Sequence, residues 1–192
     1  MKKNIFTTLI LASITLFSFG QKKAVPAAPV TNFTVDSSKS KVNWVGSKKS
    51  DFHTGYFPVK SGDVKVAGGK LVGGSFIIDV AGLKVTDGGG EKLQGHLLSD
   101  AFFNAVAFGE ATFTITKVVS QKNDKANITG TLSLHGIKAP ITFTAYIRST
   151  DPTKGFFAEA FFPLDRTIFG INYGVGMVDT DVQLAIHLYA SK

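Results

Sequence analysis

Apolar and polar residues alternate with a period of two along several segments of this chain. The alternation is regular over residues 111–116, 126–134, 141–147 and 181–188, where apolar positions are separated mostly by Thr, Ser, Asn or Gln. Because successive side chains of a strand point to opposite faces, each segment predicts a strand with one apolar and one polar face. Such strands are typical of an antiparallel sheet that covers a core on one side only.

Further strands are predicted at residues 34–45, 55–65, 70–80 and 156–162. The intervening turn sequences include Ala67-Gly68-Gly69, Lys122-Asn123-Asp124 and His135-Gly136, which favour tight turns. About eight one-faced strands either close into a barrel or split into two packed sheets. We predict an all-β fold, an eight-stranded antiparallel barrel, whose interior is either filled by side chains or holds one small ligand.

Residues 91–103 interrupt the alternation. Leu93, Leu97 and Leu98 recur at helical spacing. Ser99 is placed to cap a following turn at residues 100–104. The sequence therefore predicts one short helical excursion across an end of the barrel.

The first twenty residues have the organisation of a cleaved secretory signal. Lys2 and Lys3 precede an apolar stretch at residues 5–19, and Ser18 and Gly20 supply small side chains for cleavage. A transmembrane anchor is the alternative, but the stretch is shorter than the roughly 18 apolar residues of a span. We predict a signal peptide at 1–20, a flexible leader at 21–31 and one domain at 32–192.

Composition changes the picture of the interior and of the surface. The chain has 17 Phe, one Trp and no Cys. The predicted core is therefore rich in aromatic rings that carry no hydrogen-bonding group, and it contains no disulfide. The chain's net charge of +7 comes mainly from scattered Lys. This pattern favours a solvated basic surface, with weak attraction to anionic head groups, over a nucleic-acid interface.

Large residues on the predicted strands and near the helical segment are candidates for lining a ligand lumen. Periodicity leaves a filled core and a lumen equally open for each of them, and the Phe content favours the lumen. The candidates are Phe57, Phe76, Ile78, Phe102, Phe103, Phe113, Ile115, Leu132, Leu134, Phe143, Phe161, Phe169, Leu184 and Ile186.

The polar residues do not form a recognisable catalytic or metal-binding motif. The four His are far apart in sequence, unlike the closely spaced ligands of a metal site. His135 is predicted on a surface turn and His187 on the polar face of the last strand. No nucleophile elbow, Cys nucleophile or phosphate loop occurs. We therefore predict no enzyme, no metal and no cofactor beyond a bound lipid.

Arg166 stands beside Asp165 near the end of a predicted strand. The pair has two interpretations, an acid–base pair or a salt bridge at the barrel rim, and the salt bridge is favoured because adjacent surface charges commonly pair. Arg166 is also a candidate for binding a ligand head group.

Four segments in order along the chain resemble the YceI family of periplasmic lipid-binding proteins. They read FHTGYF at 52–57, HLLSDAFFN at 96–104, ITGTLSLHGI at 128–137 followed by PI at 140–141, and LDRTIFGI at 164–171. The resemblance extends over about residues 33–190. It implies a lipocalin-like barrel that binds a polyisoprenoid, such as a quinone or a polyprenyl chain, in an elongated apolar tunnel in the periplasm of a bacterium.

His53 and His96 match family positions, and the resemblance implies that they meet at the tunnel mouth and bind a quinone carbonyl or a pyrophosphate. A structural hydrogen-bonding role is the alternative. The predicted partners are an apolar isoprenoid lipid, a membrane surface in peripheral contact and a second copy in a homodimer, with no nucleic acid.

Three other interpretations of the same pattern are open. An outer-membrane barrel has the opposite arrangement, with apolar faces turned outward, but it needs strands of about nine to eleven residues, and the predicted strands have five to eight. A small enzyme would use His53 or His96 as a base. A structural or stress protein would have a filled core.

Overall fold

The computed structural model describes residues 28–120 and 123–192. The predicted signal peptide and residues 21–27 of the predicted leader lie outside these residues. In the described part of the chain no helix is long and apolar enough to cross a membrane. The described strands are β1 Val30–Val35, β2 Lys41–Lys48, β3 Asp51–Ala67, β4 Lys70–Asp79, β5 Lys84–Val85, β6 Glu110–Ser120, β7 Lys125–Leu134, β8 Ile137–Asp151, β9 Gly155–Asp165 and β10 Asp181–Ser191. Helix α1 spans Gly90–Leu98, and a 3-10 helix spans Arg166–Phe169.

Eight strands form a closed antiparallel ring in the order β2, β3, β4, β6, β7, β8, β9 and β10, and β10 pairs again with β2. The remaining two strands lie outside this ring: β1 pairs with β3 and β10, and β5 pairs with β3. The prediction of an eight-stranded antiparallel barrel with one short helix is confirmed.

The alternation along each strand places apolar side chains inside the ring. On β6, Ala111 and Phe113 are buried, whereas Thr112 and Thr114 are exposed. On β7 the buried positions likewise alternate with more accessible ones. The apolar face is therefore the inner face, opposite to the arrangement of a lipid-embedded barrel.

The two ends of the barrel are built differently. At one end, which we call the β1 end, Phe33 of β1 is buried and its ring lies 6.2 Å from that of Phe156. The other end, which we call the helical end, carries residues 49–50, 80–109, 135–136 and 166–180. Helix α1 lies there without a buried residue. The β1 end is thus closed by packed strands, and the helical end by a helix and loops.

The predicted strand at 34–45 is wrong, because the chain turns in its middle. The Asp36 carboxylate accepts hydrogen bonds from the Ser38 amide and hydroxyl at 3.1 and 2.6 Å, and the turn separates β1 from β2. As a result β3 pairs with β2 along its first half and with β1 along its second half. Strand β1 also begins at Val30, two residues inside the predicted leader.

The predicted strand lengths of five to eight residues are also too short. Strand β3 has 17 residues and β8 has 15, because barrel strands run obliquely and pair with more than one neighbour. Strand length therefore does not argue against an outer-membrane barrel, whereas the inward apolar face does.

The helical excursion is confirmed but ends earlier than predicted. The Ser99 hydroxyl donates to the carbonyl oxygen of His96 at 2.7 Å, so Ser99 closes the last turn of α1 and does not begin the next one. A turn does follow, since the Asn104 amide donates to the Ser99 carbonyl at 2.7 Å.

Gly130 of β7 is required by the close approach of β6. A Cβ atom at this position would clash with the ring of Phe113 and would lie 2.6 Å from the carbonyl oxygen of Thr114. We expect Gly130→Ala to lower the free energy of unfolding by about 1–3 kcal/mol, the usual range for overpacking, as measured by urea denaturation.

Gly73→Ala is the matched control, because a Cβ atom there would meet only Lys65 Cδ at 3.9 Å. Equal denaturation midpoints for the two variants would contradict the close β6–β7 contact.

Candidate functional site

An apolar cavity lies inside the barrel. Its volume is about 180 Å³, and the empty space between its walls, including the part open to solvent, is about 1300 Å³. The wall presents no polar surface to this space. An engineered cavity of about 150 Å³ with Leu, Ile and Phe walls stays dry and binds benzene. The cavity is thus suited to an apolar ligand.

The cavity is long compared with its volume. Phe156 and Leu164 both line it and lie eight residues apart on β9. At about 3.3 Å per residue and a strand tilt of about 40°, this separation corresponds to roughly 20 Å along the barrel axis. A narrow space of that length fits a linear chain better than a compact ring system.

Small side chains on one wall keep the interior from being filled. Ala145 of β8 pairs with Ala160 of β9, and both line the cavity together with Ala158. Aromatic rings follow on the same strands and on β6: Phe143 of β8 lies 5.6 Å from Phe113 of β6 and stacks on Phe162 of β9 at 4.4 Å. The wall formed by β8 and β9 is therefore thin where the alanines lie and is filled by rings beside them.

Eleven of the fourteen predicted lining residues border the cavity, while their contact with a ligand stays a prediction. These eleven are Phe57, Phe76, Ile78, Phe103, Phe113, Ile115, Leu132, Leu134, Phe143, Leu184 and Ile186.

The other three predicted lining residues lie elsewhere. Phe161 is 55% exposed on the outer face of β9, because its neighbour Phe162 faces the cavity. Phe169 is buried in the 3-10 helix and does not border the cavity. Phe102 follows α1, and the centre of its ring lies 5.5 Å from the Arg166 Cζ atom, which is stacked over it. Phe161 shares its strand phase with the charged Glu159, whereas Phe162 shares the phase of Ala158 and Ala160, so the alternation around Glu159 was the signal that could have placed Phe161 outward.

The prediction missed further lining positions on the same inner faces. Many of these residues are small or β-branched, whereas the predicted lining consisted of large side chains. The alternation that predicts their neighbours to face inward predicts the same for these positions. They are Val42, Val59, Val64, Leu71, Val80, Ala111, Ile128, Ile141, Ala145, Phe156, Ala158, Ala160, Phe162, Leu164, Ile171, Val182 and Leu188.

Arg166 lies at the boundary between the cavity and the helical end. Its side chain is buried, with the residue 3% exposed, and its nitrogens donate to the carbonyl oxygens of Asp179 at 3.1 Å, Ile171 at 2.5 Å and Val178 at 3.3 Å. Burial lowers the pKa of the guanidinium, and the charge of Asp165 acts in the opposite direction. Arg166 thus holds residues 171–179 across the helical end.

The predicted salt bridge between Asp165 and Arg166 is replaced by separate partners in the described structure. Asp165 Oδ1 accepts hydrogen bonds from the hydroxyl and the amide of Thr167, at 2.6 and 2.8 Å. These bonds hold the pKa of the Asp165 carboxyl below its ordinary value and cap the 3-10 helix. Neither residue forms an acid–base pair with the other.

His53 belongs to a hydrogen-bonded cluster beside the start of α1. Its Nδ1 lies 3.1 Å from Asp87 Oδ1. The Asp87 carboxylate also accepts from the amides of Gly89 at 2.8 Å and Thr54 at 2.5 Å. The Gly89 amide, the Thr54 amide and His53, in that order, lower the pKa of the Asp87 carboxyl. The cluster joins β3 to the loop before α1.

His96 has different neighbours. Its ring packs edge-on against Tyr173 at 4.5 Å and lies 6.1 Å from Phe102. His53 and His96 are both at the helical end, each in contact with its own neighbours, and their binding of a head group stays a prediction.

Of the remaining two His, His187 lies where the sequence predicts and His135 does not. His135 is half-buried, not on the surface as predicted, because its Nδ1 lies 3.1 Å from the Phe169 carbonyl and its ring packs on Phe108. His187 lies on the outer face beside Glu159, at 3.6 Å, as predicted.

The sequence and the fold are similar to those of known proteins. A family model described as the YceI-like domain matches residues 33–190. A UPF0312 protein of Vibrio campbellii is 31% identical over 153 residues, which cover 76% of this chain and 74% of that protein.

Two solved structures share the fold. BcnA of Burkholderia cenocepacia has a TM-score of 0.71 at 24% identity and covers 82% of this chain and 99% of its own. A polyisoprenoid binding domain from Saccharophagus degradans, described as implicated in plant cell wall breakdown, has a TM-score of 0.64 at 14% identity, covering 83% and 97%.

Arg166→Lys is expected to destabilise the protein and to loosen residues 171–179. One ammonium group cannot reach three carbonyl oxygens in the places of the guanidinium nitrogens, and each buried acceptor left unpaired costs about 1–3 kcal/mol. We expect a lower urea midpoint and faster amide hydrogen exchange at residues 171–179. Arg148→Lys, on the exposed outer face, is the control, and equal exchange in both variants would contradict the role of Arg166.

Asp87→Ala is expected to lower stability near neutral pH, because three hydrogen bonds to a carboxylate are lost. The folded pKa of Asp87 lies below the ordinary value of 3.8. The stabilisation is therefore complete above that ordinary value and is lost as the pH falls through the lower folded pKa.

Urea denaturation of wild type and Asp87→Ala across the acid range measures this. Their stability difference should shrink as the pH falls below 3.8, and Asp100→Ala, in an exposed turn, should show no such dependence. A difference that stays constant with pH would mean that the carboxylate charge is not responsible.

Proposed function

Because this chain belongs to the YceI-like domain family, we propose that it binds a long apolar isoprenoid lipid, of the quinone or polyprenyl type, inside its barrel. The protein is a lipid-binding barrel, and the proposed role is carriage, storage or sensing of the lipid in the periplasm. The observation that carries the proposal is the long cavity whose lining residues are apolar except for Arg166 and Glu159.

An apolar tunnel binds such a chain without strong polar contacts. Each CH₂ group removed from water contributes about 0.8 kcal/mol, and an isoprenoid supplies many such groups in a line. The narrow cavity, roughly 20 Å along the barrel axis, matches a linear chain. The solved polyisoprenoid binding domain has the same fold, which supports this class of ligand.

The polar head group of the lipid is proposed to lie at the helical end. The cavity wall offers no polar surface, and the Arg166 nitrogens are engaged with the carbonyls of residues 171–179. His53 at that end is the polar group proposed to bind a ligand carbonyl or phosphate.

The proposal assigns a binding role and no reaction. The family and the fold suggest a binding protein more than an enzyme. The predicted homodimer and the absence of a resident cofactor stay predictions.

The proposal predicts that narrowing the lumen abolishes lipid retention while leaving the fold intact. Ala158 lines the cavity, so the ring of Ala158→Phe should occupy the space of the lipid chain. Native mass spectrometry of the wild type should show a co-purified apolar species of several hundred daltons, and lipid extraction should identify its chain. The variant should be recovered without it.

Thr114→Phe is the matched control, because it adds the same ring to the exposed outer face and should keep the lipid. Circular dichroism and thermal melting show whether both variants fold. A wild-type protein recovered bare, and still bare after incubation with ubiquinone or undecaprenyl phosphate, would overturn the proposed function.

A further inference from the structure

Exposed apolar side chains of the protein are concentrated at the helical end. Eleven large apolar residues are exposed in the described part of the chain. Five of them lie at the helical end, and Phe52 and Ile137 lie on the strand residues next to it; three lie at the β1 end and one on the outer wall of the barrel. Single exposed apolar residues are common on proteins, but a group of them marks an interaction site.

The centre of this group is the loop at residues 172–178. Tyr173, Val175 and Met177 alternate there with Gly174 and Gly176, and the three large side chains are 47%, 54% and 75% exposed. No residue from 167 to 178 carries a charge. The loop therefore presents a continuous uncharged surface with an aromatic side chain and two flexible or branched apolar ones.

The backbone of this loop is hydrogen-bonded within itself. The amides of Met177 and Val178 donate to the Gly174 carbonyl at 2.9 and 2.8 Å, and the Val175 amide donates to Asn172. A segment that enters an apolar phase must satisfy its backbone groups internally, because no water is available to do so. Three of the seven amides of residues 172–178 are thus satisfied without help from a partner.

The root of the loop is fixed to the barrel. Arg166 binds the carbonyls of Ile171 and Val178 on either side of it, and Tyr173 packs edge-on against His96. The exposed tip is thus held in place and does not fold back over the apolar interior.

Basic residues flank the loop on the adjoining β2–β3 hairpin. Val178 forms a bridge with Lys48, and the Asp179 amide donates to the Ser47 carbonyl at 2.9 Å. Lys48 and Lys49 are exposed, with Lys48 3.8 Å from Asp51. Phe52 on β3 pairs with Ser47 and adds an exposed apolar ring. Its backbone lies two strand spacings, or about 10 Å, from the backbone of the loop segment that bonds to Ser47.

We propose that this surface, formed by Tyr173, Val175, Met177, Phe52 and the two lysines Lys48 and Lys49, docks the protein onto an anionic lipid bilayer. The apolar tip enters the boundary between head groups and acyl chains, Tyr173 lies at the head-group level and the lysines bind phosphates. A protein partner of similar size would require a broader and more polar rim.

The position of this surface matches the proposed cargo. The β1 end is closed by packed strands, whereas the helical end is covered by loops and by α1, which has no buried residue. Docking through the helical end brings the loop-covered entrance of the barrel to the membrane in which an isoprenoid resides. The isoprenoid cargo rests on the proposed function. Binding of the protein to a bilayer is measured independently of that cargo.

A single fluorescent label tests the contact directly, because the chain has no Cys. Met177→Cys and Val72→Cys, the latter at the β1 end and 49% exposed, are labelled with an environment-sensitive nitrobenzoxadiazole dye and mixed with phosphatidylethanolamine–phosphatidylglycerol vesicles. The Met177 label should shift to shorter wavelength and be quenched by nitroxide-bearing lipids. The Val72 label should stay unchanged.

Vesicle co-sedimentation measures the strength of the contact. Replacing Tyr173, Val175 and Met177 together by Ser should weaken binding at least about tenfold. The matched control replaces Val30, Val72 and Val119 of the β1 end by Ser and should retain wild-type binding. Lys48→Gln with Lys49→Gln should weaken binding to these anionic vesicles about 30-fold, at about 1 kcal/mol per lysine, and should have little effect with phosphatidylcholine vesicles.

Intact-mass measurement verifies that all variants share one N-terminus, and native mass spectrometry follows their lipid content. Wild-type protein that fails to bind vesicles, or equal responses of the Met177 and Val72 labels, would overturn the docking surface and leave the lipid cargo untouched. Vesicle binding by a protein that never carries lipid would support the docking surface and overturn the proposed function.

Discussion

The whole structure depends on the pairing of the last strand with two partners at once. Strand β10 forms an antiparallel ladder with β9 on one side and with β2 on the other. This closes the ring, so no strand of the ring has a free edge for another chain. Because the ring strands pair with one another, and β3 and β10 pair also with β1 or β5, the backbone groups are satisfied within the sheet, and the inner face can be apolar and partly empty.

The empty interior follows from the sizes of side chains across the ring. Alanines on β8 and β9 lie beside aromatic rings of β6, β8 and β9, and the alanines are too small to fill the space next to them. A void costs stability, because its lining loses dispersion contacts. A bound apolar chain would restore those contacts, so ligand binding and stability are coupled in the proposed function.

The helical end combines a cover and an exposed surface in one segment of chain. Arg166 is a buried charge whose desolvation is offset by three carbonyl oxygens. Those carbonyls flank the loop that carries Tyr173 and Met177. One side chain therefore links the closure of the barrel to the position of the proposed membrane contact, while α1 beside it is free of buried residues.

The sequence by itself determined the strands and the phase of most inner faces, because a period of two is a local property of the chain. Phe113 and Ile115 on β6, like Leu132 on β7, border the cavity as the alternation predicts. It also determined the family, through four segments in order. Between the adjacent Phe161 and Phe162 only the single charge of Glu159 marks the outer phase, and the closed ring decided that Phe162 faces inward. The partners of Arg166 and the hollow interior were likewise decided by the tertiary structure, because they depend on side chains that are distant along the chain and meet only when the ring closes.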